Sequence, residues 1–231
     1  MTKSTLDFIA KYKFIYLLVS ILLLLLIHPF FERLVVARIL LQILDSAVLV
    51  TAIYTVSQNR RLFIVGILLL LPAIIGGWSM YFTESLMPEL VGRSFSALFL
   101  AFVTIVMMSN VFREQEVTLD TISGALCVYL LIGLTWTFVY SVLEFFEPGS
   151  FAVNTNASVS PRGDRYYEIS LFLYYSFVTL TTLGYGDILP LTPPARAFSY
   201  VEAIVGQIFV AVLIARLVGL HTAHSSRRNS H

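Results

Sequence analysis

Apolar residues run through this chain in long blocks with short polar breaks between them. A helix needs about 20 mostly apolar residues, at 1.5 Å rise each, to cross the hydrocarbon of a bilayer. Six blocks meet that length: residues 14–31, 34–56, 62–82, 94–112, 121–145 and 195–220. Between the fifth and sixth lies a polar stretch, 150–165, rich in Ser, Asn, Pro and Gly, which reads as an exposed loop. About 14 apolar and aromatic residues then begin at Glu168, too few to span but enough for a re-entrant helix. Glu168 near its start suits the positive end of the helix dipole. Pro72 and the Gly76-Gly77 pair interrupt the third block and predict a kink or close helix packing there. No internal repeat is visible, which counts against a transporter built from two related halves.

Composition agrees with six crossings. Hydrophobic residues make up 58% of the 231 positions and charged residues 13%, about half the usual soluble share of roughly 25%. Mean hydropathy is +0.83. The expectation is an all-α integral membrane protein whose solvent is the lipid bilayer. A net charge of +1 offers no basic field for nucleic acid. The single cysteine, Cys127, excludes an intrachain disulfide and reads as a small buried hydrophobe.

The first block has the charged front of a signal peptide in Lys3, Lys11 and Lys13, but no small-residue cleavage site follows His28-Pro29, which predicts a retained helix. Lys3, Lys11, Lys13, Arg60, Arg61, Arg113, Arg227 and Arg228 would lie on one side of the membrane, and Arg33, Arg93, Arg162, Arg165 and Arg196 on the other. The positive-inside rule then puts both termini in the cytoplasm. Asn156-Ala157-Ser158 fits a glycosylation acceptor by pattern alone.

The short apolar segment runs directly into Thr182-Leu183-Gly184-Tyr185-Gly186-Asp187. This string resembles the selectivity filter of tetrameric potassium channels, whose usual form has Val where this chain has Leu183. The resemblance covers about 168–219. It includes Thr181, Pro190 and Thr192, Arg196 at the start of the last helix, and Gly206 midway along it. The resemblance implies a re-entrant pore helix, a filter and an inner helix, with K+ as permeant ion. Four chains would supply rings of backbone carbonyls in place of the ion's hydration shell. Such a backbone needs unusual alternating dihedrals, which Gly184 and Gly186 reach at little cost. Thr182 would add a hydroxyl ring at the inner end, with K+ bound through Thr182, Leu183, Gly184 and Tyr185. Leu183 and Tyr185 would turn their side chains away from the axis.

Departures from the family's pattern concern the filter's support. Val178 stands where relatives often carry a Glu able to share a proton with the aspartate after the filter, so no such pair forms with Asp187. Tyr174-Tyr175 stand where relatives often have two tryptophans, and a tyrosine hydroxyl can still reach Asp187. On the inner helix, Gly206 is the candidate hinge, with close packing as the competing role. Gln207, Val210 and Ile214 match cavity-lining positions, and Glu202 is expected behind the filter.

Six spans with a filter between the last two also resemble the voltage-gated plan, but 94–112 holds no Lys or Arg, so no conventional voltage sensor is expected. Arg38 and Asp45 are charges within the second block, seven residues apart and on nearly one face. The predicted organisation is a four-helix peripheral domain, 1–117, and a pore domain, 118–231. No nucleotide- or calcium-binding domain is expected in the eleven residues after 220, and regulation by one would need a partner or a longer natural chain.

The reading is a subunit of a homotetrameric, potassium-selective channel in the cell membrane. No enzyme and no organic cofactor are expected, and a regulatory subunit or ligand is left open. The competing readings are a weakly selective cation channel, the membrane subunit of a potassium transport system, and a silencing subunit of other channels.

Overall fold

The computed structural model describes residues 13–31, 35–56, 59–79, 81–83, 85–114, 118–153 and 165–228. Arg33, Arg162 and the Asn156 triplet lie outside the described residues, as do residues 1–12 and the side chains of Arg38, Arg227 and Arg228. Among the described residues, seven helices and two short strands follow one another: α1 Lys13–Phe31, α2 Val35–Val56, α3 Arg60–Ser79, α4 Leu86–Val111, α5 Leu119–Phe146, β1 Phe151–Val153, α6 Arg165–Leu180, β2 Ile188–Pro190 and α7 Pro193–Arg228. Among the described residues, four helices are long and apolar enough to cross a membrane: α3, α4, α5 and the Pro193–Gly219 part of α7. α1 and α2 carry shorter apolar stretches, Phe14–His28 and Ile39–Thr55. The chain is an all-α membrane protein apart from one antiparallel strand pair, in which Ala152 faces Leu189.

The peripheral helices pack closely where side chains are smallest. Pro72 lies inside α3, which stays helical past it. Gly76 of α3 and Gly92 of α4 are both buried and touch backbone to backbone, so a Cβ on either would collide with the other helix. This is the small-residue contact by which helices approach in lipid. The glycine pair therefore serves packing at this crossing.

α4 begins eight residues earlier than the apolar block suggests. Pro88 and Glu89 fall in its opening turns, where the first backbone N–H groups have no intrahelical acceptor and proline is tolerated. This corrects the sequence expectation for Arg93. It does not precede the helix as a flanking charge but sits inside it, 6% exposed.

The second half of the chain starts with a sharp cap. Thr118 Oγ1 accepts from the backbone N–H of Thr121 at 3.1 Å, opening α5. Thr192 precedes Pro193-Pro194, and its carbonyl accepts from the Arg196 N–H at 3.0 Å, opening α7. α1, α4 and α5 share one apolar core containing Leu17, Phe99, Leu100 and Leu131. A second, aromatic core of Tyr140, Phe151, Phe172 and Tyr175 lies beneath the strand pair. Its rings meet edge to face, with centroids 5.0 Å apart for Tyr140–Tyr175 and 5.1 Å for Phe151–Phe172.

Candidate ion pathway

α6 is sixteen residues long, about 24 Å at 1.5 Å per residue, and ends where the filter string begins. Its last turn receives the chain that follows. The Thr182 N–H donates to the Thr179 carbonyl at 2.9 Å, and the Leu183 and Gly184 N–H groups both donate to the Val178 carbonyl, at 3.0 and 3.3 Å. The amides of residues 182–184 thus turn back onto α6. Among the described residues, none donates a hydrogen bond to the carbonyls of Thr182, Leu183, Gly184 or Tyr185.

The backbone alternates. Thr182, Gly184 and Gly186 have φ of 58°, 58° and 75°, while Leu183 and Tyr185 between them are not in the positive region. Glycine reaches positive φ without a Cβ penalty. Thr182 is β-branched, for which this conformation is rare and strained. Sequence reasoning assigned the alternation to the two glycines and missed Thr182, because nothing in a threonine signals it. Its side chain is held on both sides. Thr182 Oγ1 donates to the Thr181 carbonyl at 2.7 Å and accepts from Gln207 Nε2 at 3.1 Å. Gln207, Val210 and Ile214 all lie on the exposed side of α7 and are spaced to share a helix face.

Leu183 and Tyr185 line an apolar recess of about 660 Å³ with Tyr174, Phe177 and Val178 of α6. Their side chains therefore lie toward α6. Tyr174 Oη donates to Asp187 Oδ2 at 2.6 Å, and Asp187 Oδ1 accepts from its neighbour's amide, Ile188, at 3.1 Å. Tyr175 does not reach Asp187. Its hydroxyl lies 2.6 Å from Ser199 Oγ of α7. Val178 is 9% exposed and offers its carbonyl, not its side chain, to the amides of Leu183 and Gly184.

The segment after Gly186 is stitched to the end of α5. β2 pairs with β1, and the Leu191 N–H donates to the Ser150 carbonyl at 2.7 Å. Glu144 closes the α5 end by accepting from the Gly149 and Phe151 N–H groups at 2.7 and 3.3 Å. Arg196 Nε donates to the Pro190 carbonyl at 3.2 Å.

Gly206 is buried where α7 passes the end of α6, and a Cβ there would collide with the Leu180 carbonyl oxygen. That contact by itself requires glycine, whatever hinge it also provides. Glu202, fully buried, lies behind α6 against Tyr140 and Ser176.

Two arginines join the peripheral helices to this module. Arg93 Nη1 donates to Ser141 Oγ of α5 at 2.6 Å and pairs with Glu168 Oε2 of α6 at 3.1 Å, while Nη2 pairs with Glu89 one turn back. The Glu89–Arg93 spacing of four is a pairing signal on a helix, whereas no spacing joins Arg93 to Ser141 or Glu168. Arg216 of α7 donates to the carbonyls of Val111 and Glu114 at the end of α4 and lies 5.2 Å from the Phe112 ring centre. A cation there also meets the negative end of the α4 dipole. Asp45 is half-buried in α2.

A short helix, a segment whose 182–185 carbonyls accept no hydrogen bond among the described residues, and a long closing helix are the parts that an ion-conducting module needs. Comparison with known proteins agrees. The family model described as "Ion channel" matches residues 126–222. Protein LctB of Bacillus caldotenax is 30% identical over 123 residues, 53% of this chain and 89% of that protein. Two pore potassium channel c of rice, Oryza sativa subsp. japonica, is 37% identical over 93 residues, 40% of this chain but 17% of the rice protein. Two-pore potassium channel 5 of Arabidopsis thaliana is 44% identical over 46 residues, 20% of this chain and 11% of that protein. No solved structure gives a significant match. The chain belongs to the ion channel family, and its matches there include potassium channels.

Proposed function

We propose that this chain is one subunit of a homotetrameric, potassium-selective channel of the cell membrane, with six crossings, both termini cytoplasmic and passive conduction through one axial pore. The alternation of positive φ at Thr182, Gly184 and Gly186 carries the reading, since it leaves the carbonyls of 182–185 without internal donors. Coordinating K+ in place of water needs such a row of oxygens. One such row per chain calls for several chains around one axis. Residues 1–117 act as the peripheral domain and 118–231 as the pore domain. Purified protein in bilayers with mixed sodium and potassium tests this: the reversal potential should follow the potassium gradient. A reversal potential near that of a non-selective pore would favour the weakly selective reading and reject this one. The mass of the solubilised particle should correspond to four subunits of 26.0 kDa, and a conducting monomer or dimer would reject the tetramer.

The hydrogen bond from Gln207 to Thr182 gives a graded prediction. Gln207→Leu removes a donor from the innermost hydroxyl of the filter. Neutral hydrogen bonds contribute about 0.5–1.5 kcal/mol, so single-channel conductance should change by about two- to tenfold with selectivity retained. Unchanged conductance would show that this contact does not shape the inner ion site.

Steep voltage gating is not expected. One elementary charge crossing the whole field contributes about 2.3 kcal/mol per 100 mV, roughly a fiftyfold shift of an equilibrium. The arginine within α4, Arg93, is locked between carboxylates of α4 and α6. The apparent gating charge should be about one or below. A conductance–voltage curve requiring several charges, at any potassium gradient, would show that a peripheral helix moves charge.

A further inference from the structure

Glu202 lies on α7, one turn before Gly206, with no exposed surface. Carboxylates at such depth in a membrane protein are costly unless a cation or several donors meet them. No cation pairs with Glu202 among the described residues. Instead its two oxygens meet two hydroxyls from two other helices, Tyr140 of α5 on Oε2 and Ser176 of α6 on Oε1, each at 2.5 Å.

The hydrogens can be counted. Ser176 Oγ lies 2.8 Å from the Gly133 carbonyl as well as 2.5 Å from Glu202. A serine hydroxyl has one hydrogen, and a carbonyl oxygen only accepts. The Gly133 carbonyl also accepts from Thr137 Oγ1 at 3.0 Å; for the Ser176–Gly133 contact to be a hydrogen bond as well, the serine hydrogen must go to Gly133. The short contact from Ser176 to Glu202 then needs its hydrogen from the carboxyl group. Tyr140 donates its own hydrogen to the other carboxyl oxygen. All three contacts are satisfied together only when Glu202 is a carboxylic acid.

We propose that Glu202 is a neutral positioning residue for the filter, a carboxylic acid that bolts α7 to α6 at Ser176 and to α5 at Tyr140. The inference rests on the reading of 182–186 as a filter. Ser176 is two residues before Val178, whose carbonyl receives the Leu183 and Gly184 amides, so the height and rotation of α6 at Ser176 set those of the filter backbone. Val178 supplies no acid of its own to the filter's flank. Glu202 supplies the bracing carboxyl from the opposite helix. The adjacent Tyr175–Ser199 contact and the seating of Gly206 on Leu180 join the same two helices above and below it.

A neutral acid has a close substitute in an amide. In E202Q, Nε2 donates to Ser176 and Oε1 accepts from Tyr140, reproducing every hydrogen. The potassium-over-sodium permeability ratio of E202Q should stay within about threefold of wild type, whereas E202A, which strands the buried Tyr140 hydroxyl and removes the donor to Ser176, should lower it about tenfold or more. S176A and Y140F are milder probes if E202A fails to assemble. Each should lower the ratio alone, and adding E202A to S176A should give less than the sum of the two effects. Infrared spectroscopy of the wild-type protein near neutral pH should show a protonated-carboxyl stretch that vanishes in E202Q. That measurement needs no ion current, so it separates failure of this proposal from failure of the channel reading. E202Q behaving like E202A, or a spectrum in which E202Q removes a carboxylate band instead, would overturn the proposal.

Discussion

Gly184→Ala should abolish selective potassium current. In the single chain a Cβ at Gly184 meets no atom within 4 Å, so collision is not the reason. The reason is φ of 58°, a left-handed conformation that costs an L-residue about 1–2 kcal/mol. In four chains sharing one axis the penalty falls on every subunit of the same ring. Alanine relieves it by rotating the peptide, which turns a carbonyl away from the ion path. Gly149 provides the control. Its φ is 88°, a Cβ there also meets nothing within 4 Å, and it lies in the exposed turn after α5. Gly149→Ala suffers a similar local penalty and should leave the reversal potential unchanged. Wild-type selectivity in Gly184→Ala would mean that these carbonyls do not coordinate the ion.

Removing Arg93 should be the most damaging change outside the filter. Its side chain is 7% exposed and lies between Glu89, 8% exposed, and Glu168, 29% exposed. Deleting one member of a buried ion pair costs about 3–5 kcal/mol, because the opposite charge stays where it is. Arg93→Ala should therefore lower the yield and the melting temperature of the assembled particle sharply. Removing charge from both sides should be gentler. In Arg93→Met with Glu89→Leu, Glu168 is exposed enough to turn to water, and most of the lost stability should return. If the double variant proves as unstable as Arg93→Ala, the cluster contributes by shape and not by charge.

The 182–187 string stood out in the sequence because its residues are contiguous, and positive φ falls at Gly184 and Gly186, where glycine was expected to supply it. The bond from Tyr174 to Asp187 was anticipated in kind, since both residues flank the same turn. The start of α4 was not legible. Hydropathy ends a span at a charge, and it cannot register that Arg93 is neutralised by Glu168, which is 75 residues away. The strand pair escaped notice because three residues are too few for an alternating pattern to emerge. Glu202 was placed behind the filter from its position relative to Gly206. Its partners Tyr140 and Ser176 come from two other helices, and no spacing within one helix encodes such a meeting.

Both arginine contacts between α4 and the helices α5 to α7 have a shared phase. Eighteen residues separate Arg93 from Val111, whose carbonyl receives Arg216. At 3.6 residues per turn that is about five whole turns and about 27 Å. The two attachment points therefore stand on one line along α4, near its two ends. A residue inserted into α4 between them would rotate one point by about 100° relative to the other. No rigid rotation of the helix could then satisfy both Glu168 and Arg216. Four inserted residues would nearly restore the line, with an error of about 40°, while stretching it by about 6 Å. The length of α4 between Arg93 and Val111 is thereby constrained by winding number and not by membrane thickness, and drift in this helix should accumulate as substitutions and not as insertions or deletions.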